Sequence, residues 1–300
     1  IIGGIHRGRT TGNPIGLLIH NQSSPPAVGK NATESPGSGN IRLSRPRPGH
    51  ADFSGAMKMG LEDYHDIAER ASARETAIRT ALSVPARGLL KQLRIESLAQ
   101  VIRIGDLDAE GVTGLGFRHV QKAVTRIGDA WLAADSKILP EWKSLIDKAA
   151  AHGDTLGGAI EIRIRGLPPG IGDYRSWDKR LDARLSAAIM ALPGVHSAEI
   201  GDGVTSSLLR GTKAHDPFAY QTGAGIVRLS NRAGGIEGGM ANGEDLVFRA
   251  AMKPIPTVSG ALSVDLSSLE VATADYSRHD TVALAALAIT LAASWFRRWM

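Results

Sequence analysis

The sequence contains no cysteine. Disulfide frameworks and thiolate metal sites are thereby excluded, and nothing in the chain calls for an oxidising compartment. Its histidines form no H-x-H or H-x-x-x-H pair, the spacing by which imidazoles usually hold a metal. Aromatic residues are scarce at 5%, and no ribonucleoprotein motif, helix-turn-helix or zinc finger stands out, which weakens a nucleic-acid-binding reading. The Ala-rich apolar stretch 281–296 falls short of the roughly 20 residues a membrane helix needs and reads as a buried terminal helix. No basic-apolar-small signal pattern opens the chain.

What is present describes a globular protein. Hydrophobic residues make up 43% and charged residues 22%, enough of the former for a sizeable core and too few of the latter for a disordered chain. Glycine is frequent, at 35 residues, which suits strands and tight turns better than a plain helical bundle. The net charge of +5 and pI near 9.6 favour an anionic partner. Because the basic residues cluster locally, a small polyanionic substrate fits better than nucleic acid.

Along the chain, a Gly- and Arg-rich turn at 8–14 leads into an apolar strand at 15–19. Residues 21–40 are rich in Ser, Pro, Gly and Asn and predict a flexible loop. A helical pattern over 61–93 is expected to break or kink near Pro85. A strand at 98–104 follows, then a second helical region at 119–152 whose later half starts at Pro140. In 157–167, Ile160, Ile162 and Ile164 alternate with Glu161, Arg163 and Arg165, the period-two mark of a half-buried antiparallel strand. A helix from Asp178 aligns Leu181, Leu185, Ala188, Ile189 and Leu192 on one face. Further strands are expected at Ile200 and at 247–254, and Arg278-His279-Asp280 precedes the terminal helix. Mixed strand runs with separate helices predict an α+β fold.

Four constellations could carry chemistry. Arg42, Arg45, Arg47 and His50 lie close together on a backbone stiffened by Pro46 and Pro48. Fixed guanidinium groups suit phosphate or carboxylate, and a histidine beside them can exchange a proton near neutral pH. A solvated basic loop has the same composition. In Glu69 to Thr76, Arg70 and Arg74 are i,i+4 neighbours that would share a helix face beside Ser72, as in an exposed salt-bridged helix. Two glycine pairs in Asn231 to Gly243 would let backbone approach a flat or phosphorylated ligand closely, although glycine loops are usually only turns. Arg278-His279-Asp280 offers either an ionised base or a helix cap.

Taken in order, these stretches resemble chorismate synthase. The matching blocks are Gly8-Arg9-Thr10-Thr11-Gly12-Asn13-Pro14-Ile15, Arg45-Pro46-Arg47-Pro48-Gly49-His50-Ala51-Asp52, Glu69 to Thr76 and Gly166 to Arg184. They continue with Glu199-Ile200-Gly201-Asp202-Gly203, Asn231 to Gly243, Lys253 to Thr257 and Arg278 to Asp280. The resemblance implies an α+β fold with helices sandwiched between antiparallel sheets, as a single domain over residues 1–300, assembled as a homotetramer in the cytoplasm. It implies a lyase that forms chorismate from 5-enolpyruvylshikimate 3-phosphate by anti-1,4-elimination of phosphate, the last step of the shikimate pathway. Reduced FMN is the implied cofactor, with NADPH involved only indirectly, in flavin reduction, and neither metal, nucleic acid nor membrane as a partner.

Residue by residue, the resemblance implies that His50 protonates or holds the reduced flavin and that Asp280 receives the C6 proton. Flavin contacts fall on Arg70, Ala71, Ser72, Pro193, Gly194, Gly238, Lys253, Pro254, Ile255, Pro256, Thr257 and Arg278, and substrate contacts on Arg45, Arg47 and Arg74. Members of the family also open with a Gly-Glu-Ser-His segment whose histidine protonates the leaving phosphate, and no such segment occurs in this sequence. The opening Ile1-Ile2-Gly3-Gly4 resembles an activated trypsin-like N-terminus, a reading excluded by the absence of cysteine and of a Gly-Asp-Ser-Gly-Gly loop. The expectation is therefore an incomplete chorismate synthase missing its N-terminal strands. The altered loop at 21–40 and Pro85 keep open a degenerate, non-catalytic flavin-binding relative.

Overall fold

The structure, a computed structural model, describes residues 1–20, 43–72, 75–109, 111–112, 115–127, 132–275 and 281–282. The loop expected at 21–40, Arg42, Arg74, Arg278, His279, Asp280 and nearly all of the expected terminal helix lie outside the described residues. In chain order the first elements are β1 (Ile5–His6), β2 (Arg9–Thr10), α1 (Asp52–Met59), α2 (His65–Arg70), α3 (Glu75–Gln92), β3 (Glu96–Ile104), β4 (Leu107–Asp108), α4 (Phe117–Ile127) and α5 (Leu139–Ala151). There follow β5 (Gly158–Arg165), α6 (Leu181–Met190), β6 (Val195–Ile200), α7 (Gly211–Ala214), β7 (Phe218–Gln221), β8 (Gly225–Arg228), β9 (Ile236–Glu237), β10 (Met240–Ala241), β11 (Leu246–Met252), β12 (Leu262–Val264) and β13 (Val271–Thr273). The described residues divide into two compact units, one drawn from Ile1–Leu82 and Gly260–Tyr276, the other from Ser83–Ser259 and Ser277–Met300. Among them every paired strand is antiparallel, and the fold class is α+β, as the sequence predicts.

The second unit is built on a five-stranded sheet in the order β4-β3-β5-β11-β6. Register explains its apolar face. Ala99 and Val101 of β3 stand opposite Ile162 and Ile160, which face Phe248 and Ala250 of β11, with Ile200 and Ala198 of β6 beyond. This face joins a core that includes Val120 of α4, Trp142 of α5, and Leu181, Leu185 and Ile189 of α6. Ile160, Ile162 and Ile164 are each at most 3% exposed, and each contributes about 1.5–3 kcal/mol through burial.

The opposite face departs from expectation. A half-buried strand would turn Glu161 and Arg163 to water, but Glu161 is 0% and Arg163 5% exposed. Covered charges must be paired, and here Arg163 Nε lies 2.7 Å from Glu161 Oε1. Gln100 Nε2 donates to the same oxygen at 3.0 Å, and Arg249 Nε donates to Oε2 at 3.1 Å. The alternation was therefore right about strand and register, while the polar set is an internal ion cluster rather than a solvated face.

Three further expectations are corrected. The pattern over 61–93 is not one helix broken at Pro85: α3 runs through Pro85, and the break falls at Ala71-Ser72. The hydrogen bond lost at Pro85 is offset by packing of Ser83, Ala86 and Leu90, which are buried on either side of it. The chain turns at Ala71-Ser72, where Ser72 O accepts from Glu75 N at 3.2 Å; Arg74, expected to share a helix face with Arg70, lies outside the described residues. Residues 15–19 form no strand, only an isolated bridge between Gly3 and Gly16, because a ladder needs more partner than Ile2-Gly3 supplies. The strand expected at 247–254 stops at Met252, before Pro254, which has no N–H to pair.

Glu161→Ala strands two cations, one of them fully covered, and is expected to cost about 3–5 kcal/mol, the usual penalty for breaking a buried pair. Chemical unfolding measures it. A loss below about 1 kcal/mol, the scale of an exposed pair, would contradict the described network.

Candidate functional site

In the first unit the sequence Arg47-Pro48-Gly49-His50 makes a tight turn. His50 N donates to Arg47 O at 3.2 Å, and Gly49 has φ +77°. Proline ahead of a residue with positive φ is the signature of a type II turn, which sets Arg47 and His50 side by side. Two residues on, α1 begins with Asp52, which is 0% exposed. Its carboxylate does not cap the helix. Instead Oδ2 accepts from Arg47 Nε at 2.7 Å and Arg47 N at 3.1 Å, and Oδ1 accepts from Arg47 Nη2 at 3.0 Å. Oδ1 also meets His50 Nδ1 in a very short contact, while Arg47 Nη2 lies 3.2 Å from the same ring nitrogen. The side chains of Arg47 and His50 are 13% and 14% exposed, so both are held yet still reach the surface.

Burial pushes the Asp52 carboxyl up, but the hydrogen bonds from His50 and Arg47 and the guanidinium charge outweigh it and hold it down at about 2. Beside this cluster Arg45 Nη2 pairs with Asp275 Oδ1 at 2.6 Å, its side chain 45% exposed. Tyr64, fully buried, directs its hydroxyl at Arg45 O and Asp275 Oδ2, at 3.0 and 2.9 Å. Burial and the Asp275 carboxylate raise its pKa well above the usual phenol range.

Of the other expected ligand contacts in this unit, Arg70 is 81% exposed on its side chain and donates to Glu75 Oε2 at 3.2 Å. Ala71 and Ser72 form the turn between α2 and α3.

In the second unit Lys253, Pro254, Ile255, Pro256 and Thr257 follow directly on β11. Lys253 N donates to Gly194 O at 3.0 Å, which brings Pro193-Gly194 to the run, and Thr155 Oγ1 donates to Ile255 O at 2.7 Å. Thr257 Oγ1 is buried without a hydrogen-bond partner. An unpaired buried hydroxyl costs about 1–3 kcal/mol, so a polar ligand atom meeting it would recover that energy. The run thus offers a cation, a stiff backbone and an orphaned hydroxyl, a donor set that fits a planar, polar-edged anionic cofactor.

The glycine loop behaves differently from expectation. A Cβ on Gly234 would meet Gly201 N at 2.3 Å, and one on Gly235 would meet Asp245 O at 2.7 Å. These glycines pack the chain against itself rather than against a ligand. Gly238, with φ +58°, alone in this group faces open space. Next to it, Leu181 N at the start of α6 donates to Gly239 O at 2.8 Å.

Sequence reasoning missed Asp52, Tyr64 and Asp275 as site residues. For Asp52 the signal was available, since it stands two places after His50 in a tight turn. Asp275 lies 230 positions from Arg45 and had none. Among the described residues no cluster of His, Cys, Asp and Glu could hold a metal ion, and no helix is long and apolar enough to cross a membrane.

A family model described as chorismate synthase matches residues 1–296. The chorismate synthase of Moorella thermoacetica is 41% identical over 300 residues, covering 98% of this chain and 76% of the relative. That of Corynebacterium jeikeium is 40% identical over 316 residues, covering 96% and 71%. A crystal structure of chorismate synthase superposes with a TM-score of 0.69 at 29% identity, covering 82% of this chain and 68% of the other.

The depressed Asp52 value generates a pH prediction. A carboxylate whose folded pKa is lowered stabilises the fold above its unfolded value and loses that contribution as pH falls through the folded value. The stability difference between wild type and Asp52→Asn should be full well above pH 3.8 and shrink as pH falls towards 2. Urea midpoints across that range measure it, and a difference that stays constant down to pH 2 would contradict the assignment.

Proposed function

The chain belongs to the chorismate synthase family, and from that premise we propose which of its residues carry the reaction. The protein is an enzyme, a carbon–oxygen lyase acting on a phosphate, that converts 5-enolpyruvylshikimate 3-phosphate to chorismate by anti-1,4-elimination. The observation that supports the assignment of roles is the Arg47–Asp52–His50 cluster, a histidine in contact with a buried carboxylate inside a basic turn.

The substrate carries a phosphate and two carboxylates, so its site needs cations. Arg45, well exposed, is suited to grip those anions. Arg47 is committed to Asp52 through Nε and Nη2, so its part is to fix Asp52 and supply positive charge beside His50 rather than to present an open fork. Arg74 joins them by family resemblance alone.

Reduced FMN, when bound, supplies electron density to the elimination and recovers it, leaving no net redox change. Thr257 would meet it with its unpaired hydroxyl and Lys253 with its ammonium, while Pro193, Gly194, Pro254, Ile255 and Pro256 shape the backbone around them. Gly238, Arg70, Ala71, Ser72 and Arg278 complete the set that the resemblance assigns. His50 holds or gives a proton at its outer ring nitrogen, and Asp280 accepts the C6 proton. NADPH enters only indirectly, in flavin reduction, and the working form is a cytoplasmic homotetramer.

His50→Ala is expected to lower kcat by about 10²- to 10⁴-fold, the usual contribution of a positioned acid–base group, while flavin affinity changes little. Unchanged turnover would refute its role. Asp280→Asn is expected to leave the circular dichroism spectrum intact and nearly abolish turnover, and near-normal activity would remove Asp280 from the mechanism.

A further inference from the structure

Asp52 is a fully buried carboxylate that the proposed chemistry does not itself use. An aspartate in the first turn of a helix ordinarily faces water and the helix dipole. This one turns away from the N-terminus of α1, whose cap receives no side-chain hydrogen bond, and spends both oxygens on Arg47 and His50. Held ionised at about 2, it can only accept hydrogen bonds. Its contact with His50 Nδ1 therefore requires a proton on that nitrogen. Arg47 Nη2, 3.2 Å from the same atom, is donor-only and cannot bond to it while that proton is in place.

We infer that Asp52 is a positioning residue for His50: it fixes the ring through Nδ1, keeps a proton there, and leaves Nε2 as the nitrogen able to exchange a proton with a ligand. This rests on the role given above to His50. Among the described residues, the other titratable and charged groups that face the cluster are Arg47, Tyr64 and the Arg45–Asp275 pair, and no second carboxylate among them hydrogen-bonds to Nδ1. With an amide in place of Asp52, Nδ1 is free to accept from Arg47 Nη2 or from the new NH₂ group, and the ring proton moves to Nε2. An imidazole in that tautomer, when neutral, cannot take up a proton at Nε2.

The test is nitrogen-15 NMR of histidine-labelled protein, in which the two neutral tautomers give distinct ring patterns and His50→Ala assigns the signals. Wild type is expected to show His50 protonated at Nδ1. A wild-type ring protonated at Nε2 alone would overturn the inference without any variant, so a misfolded mutant does not protect it. Asp52→Asn is expected to switch the neutral ring to Nε2–H and to cut kcat by about 10²-fold or more. It should also displace the pH limb of kcat that His50→Ala abolishes, with flavin affinity retained. The double variant Asp52→Asn/His50→Ala should be no slower than His50→Ala, because Asp52 acts through the ring. An unchanged tautomer in Asp52→Asn, or a switched tautomer with wild-type turnover, would overturn the inference while leaving the role of His50 standing. Full turnover in His50→Ala would instead remove that role, whatever the tautomer.

Discussion

The sheet of the second unit is tied together through one buried carboxylate. Glu161 sits on β5 and receives Gln100 from β3, Arg163 from its own strand and Arg249 from β11. Arg249 in turn donates from Nη1 to Gly201 O, at the end of β6, so one ion links four of the five strands. Away from water such a pair tolerates few geometries, because a misplaced partner leaves a charge that cannot be solvated. The apolar face supplies most of the stabilisation by burial, while the polar face limits which register is acceptable. Gly201 adds a steric restriction, since a Cβ there would lie 2.0 Å from Arg232 O. Together these hold β11 in place, and β11 delivers the Lys253 to Thr257 run.

The same device recurs in the first unit with a different purpose. Asp52 is as buried as Glu161 and is likewise saturated by a guanidinium. Glu161 gathers two arginines and a glutamine of the sheet, however, whereas Asp52 binds a histidine, together with an arginine, and both still reach the surface. A buried anion beneath a partly exposed ring gives orientation without loss of access, which is what a proton-exchanging group requires. The cost of burying Asp52 is met locally by four hydrogen bonds, three of them from a single arginine.

How much of this was legible in the sequence depended on separation along the chain and on what covers each face. The β5 strand and the helix with Leu181, Leu185 and Ile189 on its buried face could be read from periodicity, because both patterns are local. The burial of Glu161 and Arg163 could not, since alternation reports two faces without saying whether the second is covered. Arg249, a partner of Glu161, lies 88 positions away from it. Within the candidate site, the His50 turn was readable from Pro48-Gly49, whereas the Arg45–Asp275 pair is closed only by the tertiary fold. Pro85 misled because propensity was outweighed by packing, and the glycines of 234–235 misled because a close backbone approach can serve the chain's own folding as well as a ligand.

The most direct measurement is an anaerobic reaction of the protein with 5-enolpyruvylshikimate 3-phosphate and chemically reduced FMN, following chorismate and inorganic phosphate together. The account predicts equal amounts of the two products and flavin that ends as reduced as it began. No chorismate with reduced flavin, or equal rates with oxidised and reduced flavin, would contradict it.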